Sequence, residues 1–525
     1  MYQQVYDPVK PVVETKYGKL RGITYGDIQM YMGVKYADAA RFKMPVDQQP
    51  WEGVKNALKY GHISPQMGDP EPPNYYRGLF LHQKEGEDCQ NLNIWAPKHK
   101  EGEKKPVFVW IHGGGFMAGN AMEEYSFDGY NLAHDGDIVF VSINHRLNIL
   151  GYLNLTEYGE EFANTPNLGI ADLIAALKWI HENIEAFGGD PENVTICGHS
   201  GGGGKVLCMY QLEDAAPYFQ KGICLSGTTP EPPASEVEDL KLLAKSILDI
   251  AGITKENLKD IYTIPYATLL SAYKKVGKKL WDKGHYVIFE PLKNEYFPGF
   301  PPFEEFHPSS CKKPLLITTT LAEFGRCSIQ VEDRRTMSVD EKEDYLRKQY
   351  GENADKLMEL FRKTYPTHDI LDLAFVDNIF RAPAVATAKK KASCKSNNTY
   401  VFLSAYNMAE DEGIPMWHGG EVCYAFKSTD RVYVANEAVD GPKKIEIFSS
   451  IMINMCKHGT PGNEYLPEWK PFTEENPVTM VIDKVSEAKC DSDAELLALI
   501  MESTEPFRLR PMYTDDTENL QIGVD

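Results

Sequence analysis

Short runs of β-branched and aromatic residues alternate along this chain with longer stretches of helical periodicity, and no other feature limits the possible folds as much. The apolar runs fall at 106–111, 138–143, 193–197, 222–226, 314–320, 399–403 and 478–482. Each is short enough for a buried strand. Between the second and third, Ile170, Leu173, Ile174, Leu177, Ile180 and Ile184 recur at helical spacing, and the helix should stop at Gly188 and Gly189. Strand–helix alternation of this kind predicts an α/β fold: a large, mostly parallel central sheet with helices on both faces. Residues 12–16 and 19–23 flank Tyr17-Gly18 and read as an N-terminal hairpin.

The chain of 525 residues reads as one domain, with a core at about 12–510. Two stretches break the alternation, 228–312 and 327–395, both helical or loop-like and rich in Lys, Glu and Pro. They are expected as insertions over the C-terminal edge of the sheet, where α/β folds place their sites. The tail at 511–525 is acidic and poor in apolar residues. A net charge of −21 argues against nucleic acid and against anionic membranes as partners. The first residues lack a basic segment followed by an apolar run, and no stretch approaches a membrane span, so neither a leader nor a membrane association is expected. None of the 10 cysteines forms a C-x-x-C pair, and Cys197, Cys208 and Cys224 read as small core residues.

The chemistry centres on Gly198-His199-Ser200-Gly201-Gly202, which follows the strand at 193–197 and precedes an apolar helix at 205–211. A sharp strand-to-helix turn that exposes a serine nucleophile needs small residues two before and two after it, because the backbone is crowded there. A phosphate loop fits worse, although Gly201–Gly204 followed by Lys205 resembles one superficially. Position 199 is His instead of Gly, and Val206 stands where Ser or Thr is required. The second signal is His112-Gly113-Gly114-Gly115-Phe116, directly after the strand at 106–111. Glycines there let backbone N–H groups approach a tetrahedral oxyanion. The expected donors are Gly114, Gly115 and Gly201.

A serine hydroxyl needs a base. Of 13 histidines, His418, in Met416-Trp417-His418-Gly419-Gly420-Glu421, lies on a loop after a late strand, giving the chain order serine, acid, histidine. His112 belongs to the glycine segment, His199 is expected to point away from Ser200 around the turn, and His62, His82, His134 and His285 have no special context. His181-Glu182 opens like a zinc-protease helix, but Glu185 stands where the second histidine should be, so no metal site is expected. No other cofactor is implied. For the acid, Glu323 follows the strand at 314–320 and would orient His418. Its rivals are Glu304, Asp377 and the cluster Glu410, Asp411 and Glu412.

These motifs, together with Glu87-Asp88-Cys89-Gln90-Asn91-Leu92-Asn93-Ile94-Trp95, Asn144-His145-Arg146, Asn167-Leu168-Gly169 and Leu225-Ser226-Gly227, give the chain a close resemblance to the type-B carboxylesterase and cholinesterase family over about residues 12–510. The resemblance implies an α/β-hydrolase fold and hydrolysis of small carboxylic esters through an acyl-enzyme, with Ser200, Glu323 and His418 as triad. It also implies structural ion pairs Arg41–Glu87 and Arg146–Asp172, and a supporting role for Ser226. Phe289, Phe116 and Trp417 are the expected pocket residues.

The chain departs from the family at several points. The family's Glu-Ser-Ala is His199-Ser200-Gly201, and the tryptophan that faces quaternary ammonium in cholinesterases is Leu79. The usual partner of Cys89 is missing, which favours a reducing cytoplasm. The chain therefore reads as a serine carboxylesterase and not as a cholinesterase. The alternatives are a non-catalytic binding or adhesion relative, or the same triad acting on amides, carbamates or thioesters. Oligomeric state is not legible in these motifs.

Overall fold

A computed structural model describes residues 4–68, 83–301, 303–325, 334, 336–409 and 413–504. Its strands, in chain order, are β1 (Gln4–Val5), β2 (Val12–Thr15), β3 (Gly18–Arg21), β4 (Ile23–Tyr25), β5 (Ile28–Lys35), β6 (Val54–Asn56), β7 (Asn91–Pro97) and β8 (Lys105–Ile111). They continue with β9 (Val139–Ile143), β10 (Gly189–His199), β11 (Lys221–Leu225), β12 (Leu315–Thr320), β13 (Thr399–Ser404), β14 (Val478–Ile482) and β15 (Glu487–Cys490).

Among the described residues a 12-stranded sheet runs β1-β4-β5-β7-β9-β8-β10-β11-β12-β13-β14-β15. From β9 to β14 every neighbouring pair is parallel. The antiparallel strands β1, β4, β5 and β7 extend one edge and β15 closes the other. The large, mostly parallel sheet is what the alternation predicted, and the fold is the α/β hydrolase that the family resemblance implied. The hairpin at Tyr17-Gly18 is present as β2 and β3, which with β6 form a separate 3-stranded sheet.

The helices that matter for the site are α1 (Leu168–Asn183), α2 (Gly201–Gln211), α3 (Glu236–Ala251), α4 (Tyr266–Trp281), α5 (Arg381–Ala392) and α6 (Gly441–His458). Successive side chains of a strand point to opposite faces, and β8 shows what each face meets. Val107, Val109 and Ile111 pack with Leu173, Leu177 and Ile180 of α1 and with Val206 and Leu207 of α2. Phe108 and Trp110 face the other way, towards Ile447, Phe448 and Ile451 of α6. Both faces are therefore buried, which is why these strands are apolar throughout. Helix α1 passes through a 3-10 turn and stops at Gly188, as expected. At φ 79° this residue takes the left-handed conformation that glycine adopts freely, and its N–H donates to the Glu185 carbonyl at 3.0 Å.

The stretch 228–312 supplies α3 and α4, which pack together, and 327–395 supplies α5 after helices at Val339–Tyr350 and Ala354–Thr364. The tail at 511–525, with His82, Leu79 and the cluster Glu410, Asp411 and Glu412, lies outside the described residues. Cys311 and Cys394, 83 residues apart, are joined by a disulfide that no cysteine spacing suggested. Cys89 is buried and unpaired. Among the described residues no helix is long and apolar enough to cross a membrane.

Both ion pairs implied by the family resemblance are present. Arg41 pairs with Glu87 and also donates to the Ile261 carbonyl at 3.1 Å. Arg146 grips Asp172 in a buried two-point contact, Nη2 to Oδ1 at 2.6 Å and Nε to Oδ2 at 2.8 Å, while its Nη1 donates to the Lys43 carbonyl at 2.8 Å. Asp172 also accepts from the Arg146 backbone N–H at 3.0 Å and from Gln90 at 3.2 Å. Removing one partner strands a buried charge, so Asp172→Ala should cost about 3–5 kcal/mol in a urea melt. The double variant Arg146→Met with Asp172→Leu, which removes both charges, should cost less than the single change.

Candidate active site

Strand register brings the sequence motifs to one edge of the sheet. Gly198 stands opposite Ile111 of β8 and Cys224 of β11. The chain therefore leaves β8, β10 and β11 at nearly the same level, at His112, Ser200 and Ser226. Ser200 turns from β10 into α2 with φ 57° and ψ −129°, a conformation strained for a residue with a side chain. Its N–H donates to the Leu225 carbonyl at 2.8 Å, and its carbonyl accepts the Gly204 N–H at 3.1 Å to open α2. The flanking glycines are required by contact: a Cβ on Gly198 would run into the Gly202 backbone, and one on Gly202 into the Ile111 carbonyl.

The glycine segment after β8 lies directly on this turn. Gly114 and Gly115 have φ +80° and +62°. A Cβ on Gly113 would stand 3.0 Å from the His199 carbonyl and 3.2 Å from Ser200 Cβ, and one on Gly201 would run into the Gly115 backbone. Gly114, Gly115 and Gly201, whose N–H groups are the candidate donors, thus gather beside Ser200.

Glu323 and His418 are both buried and meet through Oε2 and Nδ1 at 2.5 Å. Two loops hold them in register: Glu323 bridges to Trp417, and the His418 N–H donates to the Glu323 carbonyl at 3.0 Å. The other carboxylate oxygen accepts from Ser226 Oγ at 2.7 Å and from the Thr320 N–H at 2.7 Å. Burial opposes charge on both partners, pushing His418 down and Glu323 up, while the Ser226 and Thr320 hydrogen bonds pull Glu323 back towards the carboxylate. Rings enclose the imidazole, with centroids at 4.3 Å for Phe324, 4.3 Å for His199 and 4.9 Å for Phe380. His418 Nε2 has no hydrogen-bond partner among the described residues. Glu421, three residues on, is buried too, and burial with the Glu323 charge pushes its carboxyl up to about 8.

The rival acids are otherwise engaged. Asp377 accepts the N–H groups of Ile379, Phe380 and Arg381 at 2.9, 2.8 and 2.6 Å, at the start of α5. Glu304 pairs with Lys293. Of the pocket candidates, Phe116 packs edge-on against Tyr152 and Phe300 at 5.3 and 6.1 Å, close beneath the turn. Trp417 is buried beside His418. Phe289 is buried against Tyr273 at 5.1 Å. Among the described residues no group of three or more His, Cys, Asp or Glu is placed to hold a metal ion.

The family model for the carboxylesterase family matches residues 9–496. The chain belongs to that family. As a carboxylesterase it is a carboxylic-ester hydrolase, and esterases are among its relatives. It is 31% identical to the para-nitrobenzyl esterase of Bacillus subtilis (strain 168), over 92% of this chain and 96% of that one. It is 28% identical to the phenmedipham hydrolase of Pseudarthrobacter oxydans, over 90% and 95%. The solved esterase from anaerobic Clostridium hathewayi, described as able to hydrolyse aliphatic aromatic polyesters, superposes with a TM-score of 0.91 at 34% identity, covering 96% of this chain and 100% of that one.

In this carboxylesterase the ring of His199 packs on His418 and closes over Gly419, where a Cβ would lie 2.8 Å from His199 Cε1, a contact the sequence reading did not foresee. The departure Gly201 for alanine also has a reason here, since the glycine segment sits too close to the turn to admit a Cβ. Sequence reasoning missed Thr320, Phe324 and Phe380. Thr320 donates its backbone N–H to the Glu323 carboxylate and accepts the Glu323 N–H on Oγ1 at 3.1 Å, roles set by the turn and not by a sequence motif, and Phe380 reaches His418 from 38 positions away in sequence. Because Gly202 meets backbone and not movable side chains, Gly202→Ala should destabilise the esterase by at least about 1–3 kcal/mol in thermal melts and lower kcat with it.

Proposed function

We propose that Ser200, His418 and Glu323 form the catalytic triad and that hydrolysis proceeds through an acyl-enzyme. The observation that carries this reading is the buried His418–Glu323 contact, at the sheet edge where Ser200 is held in a strained turn. Glu323 fixes the imidazole with Nδ1 protonated, which leaves Nε2 as acceptor for the Ser200 proton. Ser200 Oγ attacks the ester carbonyl carbon as its proton passes to Nε2. The N–H groups of Gly114, Gly115 and Gly201 receive the negative oxygen. His418 then gives the proton to the leaving alcohol, which departs as the acyl-enzyme forms. A water molecule then attacks the acyl carbon as its proton passes to Nε2, the bond to Ser200 Oγ breaks, and His418 returns the proton to Oγ as the acid leaves.

The substrate class we propose is a small ester with an aromatic component, on two grounds: the aromatic residues Phe116, Phe300 and Trp417 near the turn, and the para-nitrobenzyl and aromatic-polyester activities in the names of its relatives. For location we propose the cytoplasm, on the unpaired Cys89; the Cys311–Cys394 bridge points instead to an oxidising compartment. Alkylating thiols in intact cells decides between them, since label on Cys311 and Cys394 requires a reducing compartment.

The direct test is hydrolysis of short-chain p-nitrophenyl esters. Ser200→Ala should lose about a thousandfold or more in kcat while folding normally, and retention of wild-type turnover would remove Ser200 from the reaction. The pH profile gives a second check. His418 must be neutral to accept a proton, and burial lowers its pKa. The acid limb of kcat/KM should therefore have its midpoint below the roughly 6.5 of a free imidazole, and a midpoint above that value would contradict the assignment.

A further inference from the structure

The sequence feature left unused by this mechanism is the lysine that made the turn resemble a phosphate loop. Lys205 is fully buried on α2, one turn beyond Gly201. Side chains on a helix lean towards its N-terminus, so a lysine at this position reaches back over the first turn. Its Nζ donates to the His112 carbonyl oxygen at 3.2 Å, and stands 5.5 Å from the centre of the Phe116 ring. His112 is the residue at which the chain leaves β8 and enters the glycine segment. The lysine therefore spans that segment, bonded to its first carbonyl and lying over the ring at its last residue.

The surroundings are unusual for a cation. No Asp or Glu forms an ion pair with Lys205 among the described residues. The rings of His112 and His145 lie nearby with centroids 4.8 Å apart, tilted by 31°, and neither ring nitrogen of His145 has a hydrogen-bond partner among the described residues. Burial pushes the amine down to about 7, with Glu123 and Cys208 opposing the fall. Burial likewise pushes Glu123 up to about 8, and Glu124 beside it adds to the shift. Holding an amine here costs stability that an apolar side chain would not, so the residue is poorly explained by packing alone.

We propose that Lys205 is a positioning residue for ester hydrolysis: by holding the His112 carbonyl it sets where the Gly114 and Gly115 N–H groups stand relative to Ser200. The proposal rests on the reading of Ser200 and the glycine segment given above. The hydrogen bond fixes the segment at its root, where a small rotation would swing the N–H groups off the carbonyl oxygen. The effect belongs to the transition state and not to the bound ester, because the ground-state carbonyl carries little charge.

The test compares wild type, Lys205→Met and Ser200→Ala as full-length proteins on p-nitrophenyl butyrate, with an alkyl trifluoromethyl ketone as inhibitor. The ketone adds to the serine and places an anionic oxygen at the glycine N–H groups. Methionine matches the lysine stem in length without donor or charge. Lys205→Met should lose about tenfold or more in kcat with KM within twofold, and its Ki for the ketone should rise by a similar factor. This is less than the 10²–10³ typical of losing a direct oxyanion donor. A kcat within twofold of wild type, or a kcat loss with the ketone Ki unmoved, overturns the proposal. If the methionine variant does not fold, Lys205→Gln, too short to reach the carbonyl, is read by the same two outcomes. Full turnover by Ser200→Ala would instead overturn the nucleophile assignment on which the proposal stands.

Discussion

The first turn of helix α2 meets the sheet through backbone and not through side chains, and the geometry of the site follows from that contact. Gly198 touches Gly202 across the turn, Gly202 touches the end of β8, and a Cβ on Gly203 would stand 2.8 Å from Gly227 Cα. Interfaces of this kind cannot adapt by changing rotamers, so the first turn of α2 has essentially one seat. That seat fixes the dihedrals of Ser200, the approach of the glycine segment and the reach of Lys205 together. None of these can move without disturbing the others.

The second constraint is electrostatic. His418 and Glu323 occupy a site that disfavours charge on either, and the price is offset by hydrogen bonds directed at the carboxylate alone. Ser226 and the Thr320 backbone hold one oxygen, leaving the other for the imidazole. The aromatic rings of Phe324 and Phe380 fill the remaining faces of His418 with groups that cannot compete for its nitrogens. Phe380 owes its place to Asp377, which ties down the start of α5. A residue that looked like an alternative acid therefore helps to build the wall around the base.

Much of this was legible in the sequence because the chemistry imposes short-range patterns. The turn at Ser200 must have glycines at fixed offsets, an acid must end a strand, and strands buried on both faces must be apolar. Strands β5 and β7 escaped notice because they break that last rule. Asn91 and Asn93 are buried in β7, their side chains donating to the His62 carbonyl at 2.7 Å and to Ser142 Oγ at 3.1 Å. In β5, Gly33 sits where the register shifts between Tyr31 and Val34. Buried polar residues satisfied by distant partners look like loop residues until those partners are known. The ring of His199 over His418 and the Cys311–Cys394 bridge were hidden for the same reason, since each depends on how separate segments pack.

The dihedral angles of Ser200 carry a cost that does not depend on its hydroxyl. Any residue with a Cβ inherits the same penalty at this position, of order 1–3 kcal/mol, whereas glycine escapes it. Deleting the hydroxyl alone leaves the strain in place; deleting the whole side chain releases it. The native state is thus held below the stability its own framework could reach, and the difference is a standing selective pressure towards glycine at position 200. A chain that keeps serine there against that pressure has kept reactivity in preference to robustness.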